Sequence, residues 1–203
     1  MKRALPVLLV FLSGCLVQSF HPFYTDKSKV ALPGLNGEWD AVTIWGDKAA
    51  TNLPPWRISG NELVAYDSAT PSSKIRVTFF KVGERLFCDS AADDVGDGPK
   101  LPSYLAQHLR GVHVITKIET NEDTLAFLPL DYDWLTVCLG EGKALLPYLT
   151  RAEEKNWMLF TATPADWENF LTTYGSDAKA FPINHLYLLK RHVSAPGKEP
   201  SSH

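Results

Sequence analysis

The sequence predicts an α+β fold, mainly antiparallel β, in which a sheet or partly open barrel carries two or three short helices. Three observations lead there. Short runs rich in β-formers, punctuated by Gly, Asn and Asp, recur between residues 34 and 193, the pattern of strands joined by tight turns. The segment from Thr163 carries complete helix punctuation. A chain of 203 residues with 45% apolar and 21% charged side chains has the length for one well-filled core and not for two.

Taken in order, Leu35-Asn36-Gly37-Glu38-Trp39 leads into the first strand. Trp56-Arg57-Ile58-Ser59 and Glu62-Leu63-Val64-Ala65-Tyr66 flank Gly60-Asn61, a tight hairpin turn. Ile75, Val77 and Phe79 alternate with Lys74, Arg76 and Thr78 until the pattern slips at Phe80, which calls for a bulge or for burial on both faces. Gly83-Glu84 turns the chain into Arg85-Leu86-Phe87-Cys88. Val112 to Ile118 and Thr124 to Leu128 form a second hairpin through Asn121 and Glu122.

Asp131 to Leu139 reads as a helix with Trp134, Leu135 and Cys138 on one side, interrupted by Gly140 and Gly142. Asn156 to Thr161 reads as a strand. The clearest helix has Thr163 as cap, Pro164 in its first turn and Asp166 three residues after the cap. Trp167, Phe170, Leu171 and Tyr174 then make an apolar stripe, and Gly175 is expected to end the helix in a left-handed conformation. This helix should lie on the sheet or close a barrel end. His185 to Val193 is the last strand, and residues 194–203 are a polar tail.

Charge narrows the partners. The net charge is −3 with 20 basic and 23 acidic side chains, and no Lys/Arg run carries interleaved aromatics, so neither nucleic acid nor an anionic-lipid patch is indicated. The aromatics follow the strand-like runs, where they serve core packing. There is no Gly-x-Ser-x-Gly, His-Glu-x-x-His, Cys-x-x-Cys or phosphate-binding glycine loop. No catalytic residue, cofactor or metal is assigned. The best metal candidates are His108 and His113, converging with Asp131 or Asp133, and their spacing is not a ligand motif. Asp93, Asp94 and Asp97 with Gly98 fail as a calcium loop because Val95 and Tyr104 stand at ligand positions.

The first residues are an address. Lys2 and Arg3 precede an apolar run from Ala4 to Leu12, and small residues follow, the parts of an export signal. The run is shorter than the roughly 20 residues a spanning helix needs. Leu12-Ser13-Gly14-Cys15 resembles the lipobox of bacterial lipoproteins. That resemblance implies cleavage between Gly14 and Cys15, a diacylglyceryl group on the Cys15 thiol, and a palmitate-type chain on the new amine. Residues 1–14 are then a signal peptide, 15–33 a lipidated tether, and 34–193 a single β-rich domain. Leu16 follows the cysteine where an aspartate would signal inner-membrane retention, so the resemblance favours the outer membrane. With the signal removed, the excess of acidic charge rises to about five. Cys88 and Cys138 remain, either as one disulfide closing a loop of about 50 residues or as two buried thiols.

The Gly37-x-Trp39 motif is similar to the opening of lipocalin-like barrels, in which the tryptophan plugs the barrel base and a basic residue packs across it; Arg191 is the candidate for that residue. The chain also resembles a group of uncharacterised bacterial lipoproteins, through His21-Pro22-Phe23-Tyr24-Thr25, Leu35, Gly37, Trp39 and Leu128-Pro129-Leu130-Asp131-Tyr132-Asp133-Trp134. Two function classes follow. One is a lipid-anchored binding or accessory module of the bacterial cell envelope, taking an apolar ligand or a protein partner. The other is an envelope hydrolase or metal-dependent enzyme whose groups meet only in three dimensions. The abundance of apolar faces favours the first.

Overall fold

In the computed structural model, which describes residues 16–44, 46–49, 53–66, 73–92, 111–151 and 154–193, the chain folds back on itself strand by strand. β1 (Gln18–Ser19) is followed by a 3-10 turn at Pro33–Leu35, then β2 (Gly37–Ile44), whose tip hairpins into β3 (Asp47–Lys48). β4 (Trp56–Ser59) and β5 (Glu62–Ala65) are joined at Gly60-Asn61, where Gly60 takes the positive φ of 61° that such a turn requires. β6 (Ser73–Val82) and β7 (Arg85–Ala92) turn at Gly83 in the same way. β8 (His113–Thr120) and β9 (Thr124–Pro129) turn at Asn121, whose Oδ1 accepts from the backbone N–H groups of Asp123 and Thr124 at 3.0 and 2.8 Å. Helix α1 (Tyr132–Gly140), β10 (Tyr148–Arg151), β11 (Glu154–Phe160), helix α2 (Pro164–Tyr174) and β12 (Tyr187–Arg191) complete the chain.

The strands β2, β4, β5, β6, β7, β8, β9 and β12 pair antiparallel in that order, and β12 pairs with both β9 and β2. Eight strands therefore close into a barrel, a lipocalin-like α+β architecture. The sequence left closure open. β12 is separated from its partner β9 by two helices and a hairpin, and no local pattern announces a pairing across that distance. At its start β8 pairs with β1 instead of β9, and β1 runs parallel to β11, which pairs with β10. Three short strands thus extend the sheet off the barrel wall.

Two apolar layers result. The lumen is packed by Trp39, Ile58, Phe79, Ile118, Leu125 and Leu189, and an outer layer gathers Phe80, Phe87, Leu128, Leu135, Phe160 and Trp167 beneath the helices. β6 is the wall between them, with Val77 and Phe79 facing in and Phe80 and Val82 facing out. The slip at Phe80 is therefore burial on both faces, and the β6–β7 register runs without a bulge from Ile75 to Val82.

Residues 16–33 are not a tether. Val17, Ser19 and Phe23 are fully buried, and the Phe23 ring lies 4.5 Å from that of Trp167. The segment alternates apolar and polar residues without a period, so its packing partners on α2 and β8 left no trace in its own sequence. The rest of the segment is pinned by Glu168 of α2, which accepts from the Thr25 N–H at 2.8 Å, Thr25 Oγ1 at 2.9 Å and Ser28 Oγ at 2.6 Å.

Burial alone would raise the Glu168 pKa, but these donors outweigh it and hold the carboxyl below its usual value. The folded state therefore binds this proton more weakly than the unfolded chain does. The stability Glu168 supplies is present above the unfolded glutamate pKa of about 4.3 and is lost as pH falls through the lower folded value. Glu168→Gln should remove that component, so its thermal midpoint should fall less steeply below about pH 4 than the wild type's; parallel curves would show that the clamp does not titrate.

Helix α2 has the full capping box: Thr163 Oγ1 accepts from the Asp166 N–H, and Asp166 Oδ2 accepts from the Thr163 N–H at 3.0 Å. The helix lies on the outer face of the barrel wall, as one of the two placements allowed. Gly175 departs from expectation, because its φ is −63°. Its lack of a side chain serves close packing, since a Cβ there would lie 2.9 Å from the Phe87 ring.

Candidate ligand cavity

One end of the barrel is sealed by three residues that the fold brings together. β2 starts at this end with Gly37 and sends the fully buried Trp39 into the lumen, where its Nε1 donates to Leu35 O at 3.0 Å. β12 ends opposite, pairing Arg191 with Trp39. The Arg191 guanidinium lies 3.9 Å from the Trp39 ring centroid and donates to Asn36 O at 3.0 Å and Gly34 O at 2.7 Å. One side chain thus stacks on the plug and ties down the 3-10 turn that covers it. Gly37 makes the arrangement possible. Its φ is 127°, and a Cβ on it would lie 3.2 Å from Arg191 Nη1.

Toward the other end the lumen opens into a cavity of about 740 Å³, within the size range of small-molecule sites. Its wall is mainly Trp56, Leu63, Ile75, Val77, Val114 and Phe127. These six come from inward positions of five barrel strands, with Ile75 and Val77 two residues apart on β6, so alternation along the strands creates the apolar lining. Polar residues are few: Ser90, Thr116 and Tyr187, with Lys74 also in the wall and paired to Glu62 at 2.7 Å. Burial raises the Tyr187 pKa, keeping the phenol neutral. Trp56 has its Nε1 satisfied by Tyr66 O at 2.8 Å and so presents only its apolar ring face. This pocket was not foreseen as a residue set, although the alternation that produces it was visible in each strand.

Cys88 also lines the cavity. It is buried and free, and burial, reinforced by the Asp89 carboxylate, pushes its thiol far above the usual value, so it behaves as a small neutral hydrophobe. Cys138 is free as well and lies on the buried face of α1 in the outer layer, whereas Cys88 faces the lumen. The two thiols lie on opposite sides of the barrel wall, and the disulfide alternative is not formed.

Outside the barrel, Asp89 is 3% exposed and holds His113 Nδ1 at 2.7 Å with one oxygen and the Phe23 N–H at 3.0 Å with the other. Ser19 is the cross-strand neighbour of His113, so an aspartate, a histidine and a serine share one face. Their geometry is structural. Ser19 is wholly buried and its Oγ accepts from Trp167 Nε1 at 3.1 Å and from the His21 N–H at 3.3 Å, leaving no space for a substrate at the hydroxyl. His113 is thus committed to Asp89 and does not meet Asp131, which caps α1 by accepting from the Trp134 N–H at 2.7 Å. Among the described residues no group of three His, Cys, Asp or Glu side chains is placed to hold a metal. Tyr132 and Trp134 pack in the outer layer.

Gly14, Cys15, His108, the Asp93–Asp97 cluster and residues 194–203 lie outside the described residues. Comparison with protein families, with characterised proteins and with solved structures finds no match for this chain.

Proposed function

We propose that this chain is a lipid-anchored binding module of the bacterial cell envelope that holds one apolar ligand inside its barrel. The observation that carries the reading is the cavity itself: about 740 Å³, walled by aromatic and aliphatic side chains, with a plugged base. Burying a methylene there is worth about 0.8 kcal/mol, so an elongated apolar molecule gains affinity along its length while Ser90, Thr116 and Tyr187 select for one or two polar atoms. The anchor rests on the match of Leu12 to Cys15 with a lipobox, and two or more acyl chains on Cys15 would hold the protein stably to a bilayer. Leu16 standing after Cys15 in place of an aspartate supports the outer membrane as its location.

The cavity predicts its own loss. Ala65 is buried in the wall, and Ala65→Trp projects an indole into the open volume. Titration with an apolar naphthylamine fluorophore should give one site per wild-type chain, weakened at least about tenfold, or 1.4 kcal/mol, in the variant. The thermal midpoint serves as the control for folding. Equal affinity in the two proteins would put the probe elsewhere and remove the argument for a luminal site.

A further inference from the structure

We propose that the barrel selects uncharged ligands: a molecule with a long apolar body and a neutral polar end, such as an alcohol, enters the lumen in preference to the corresponding carboxylate or ammonium. This deepens the function proposed above and rests on the luminal site, independently of the lipid anchor. The placement of the charged side chains on the barrel strands carries the argument. Arg57, Lys74, Arg76, Asp89, Lys117 and Lys190 each alternate with neighbours that pack in the lumen, so the pleat turns them outward. Lys74, the one charged residue among the described residues of the cavity wall, pairs with Glu62 of β5 at 2.7 Å. Lys81 and Arg191 take inward positions of the alternation, but both stand at the base, and neither borders the cavity. Lys81 is exposed there. Arg191 lies against the Trp39 plug with its donors on Asn36 O and Gly34 O.

The lining itself disfavours charge of either sign. Cys88 and Tyr187 are its ionisable residues besides Lys74, and burial raises the pKa of both, so each stays neutral. The Asp89 carboxylate sits between Cys88 and Ser90 on the outer side of β7, 3% exposed and held by His113 Nδ1 and the Phe23 N–H. Donors in the wall are already engaged: Ser90 Oγ donates to Val114 O at 3.3 Å, and Trp56 Nε1 donates to Tyr66 O at 2.8 Å. A carboxylate brought here exchanges water for few donors and a like charge behind the wall. An ammonium exchanges it for Leu63, Val77, Val114 and Phe127. Burying an unpaired charge costs far more than burying a hydroxyl. A ligand hydroxyl needs only one partner that donates or accepts, and Thr116, opposite Cys88 in the β7–β8 ladder, can do either.

The test uses the full chain carrying Cys15→Ser, so that no acyl group of its own competes for the lumen. The naphthylamine fluorophore is bound first. Dodecanol, dodecanoate and dodecylammonium then compete with it at neutral pH, each below its critical micelle concentration. Dodecanol should displace the fluorophore at a concentration at least about tenfold lower than either ion needs, or 1.4 kcal/mol in affinity. A dodecanol that does not displace it, or either ion that matches dodecanol, overturns the proposal and leaves the cavity standing as a site. Fluorophore binding of equal strength in Ala65→Trp overturns the luminal site and this proposal with it.

Discussion

Trp39→Ala is expected to lower the unfolding free energy by about 3–5 kcal/mol, the range for removing a fully buried large aromatic side chain. Trp39 is 0% exposed and occupies the narrow end of the lumen. Its loss leaves a void at the base and deprives Arg191 of the ring it stacks on. Arg191→Ala is expected to cost less, about 2–3 kcal/mol, from one cation–π contact and two charge-assisted hydrogen bonds. Arg191→Lys should recover little of that, because an ammonium cannot stack on the indole and reach both carbonyls of the 3-10 turn. Urea unfolding followed by tryptophan fluorescence and by far-ultraviolet circular dichroism measures all three. A loss below about 1 kcal/mol for Trp39→Ala would mean that the barrel base is not the tightly packed plug described.

The second large effect is expected at Asp89. Asp89→Ala should cost about 3–5 kcal/mol, the penalty for removing one member of a buried polar pair and stranding its partners. The Phe23 N–H and His113 Nδ1 lose their acceptor at a site where water has little access. The effect should be spatially selective. The carboxylate joins β7, β8 and the segment after β1, so limited proteolysis of the variant should cut first between residues 20 and 30, ahead of the barrel hairpins. Asp89→Asn should retain part of the stability, since its amide oxygen still accepts from one of the two donors. Uniform cleavage throughout the chain would show that Asp89 supports the barrel as a whole and not the attachment of the N-terminal segment.

Much of the barrel was legible because its signals are local. Gly60-Asn61 and Gly83 mark hairpins through the positive φ they permit, and Thr163, Pro164 and Asp166 mark the start of α2 through hydrogen bonds spanning three residues. What was hidden depends on distant partners. Closure through β12, the burial of residues 16–33 and the attachment of β1 between β8 and β11 are set by surfaces about 60 to 150 residues away. Gly175 shows a subtler limit. A glycine after a helix usually signals a left-handed cap, yet here the demand comes from close packing, because a Cβ would meet the Leu171 carbonyl oxygen at 2.5 Å and the Phe87 ring at 2.9 Å. The site divides in the same way. Gly37, Trp39 and Arg191 could be singled out as residue types, whereas the cavity exists only once eight alternating strands face one another.

The central claim, that the lumen is a ligand site, is tested most directly by mass spectrometry of the intact protein under non-denaturing conditions, after mild extraction from the membrane. The account predicts a small apolar molecule bound once per wild-type chain and absent from Ala65→Trp of equal thermal stability. The same adduct at equal abundance in both proteins, or none in either after supplementation with membrane lipid extract, would contradict it.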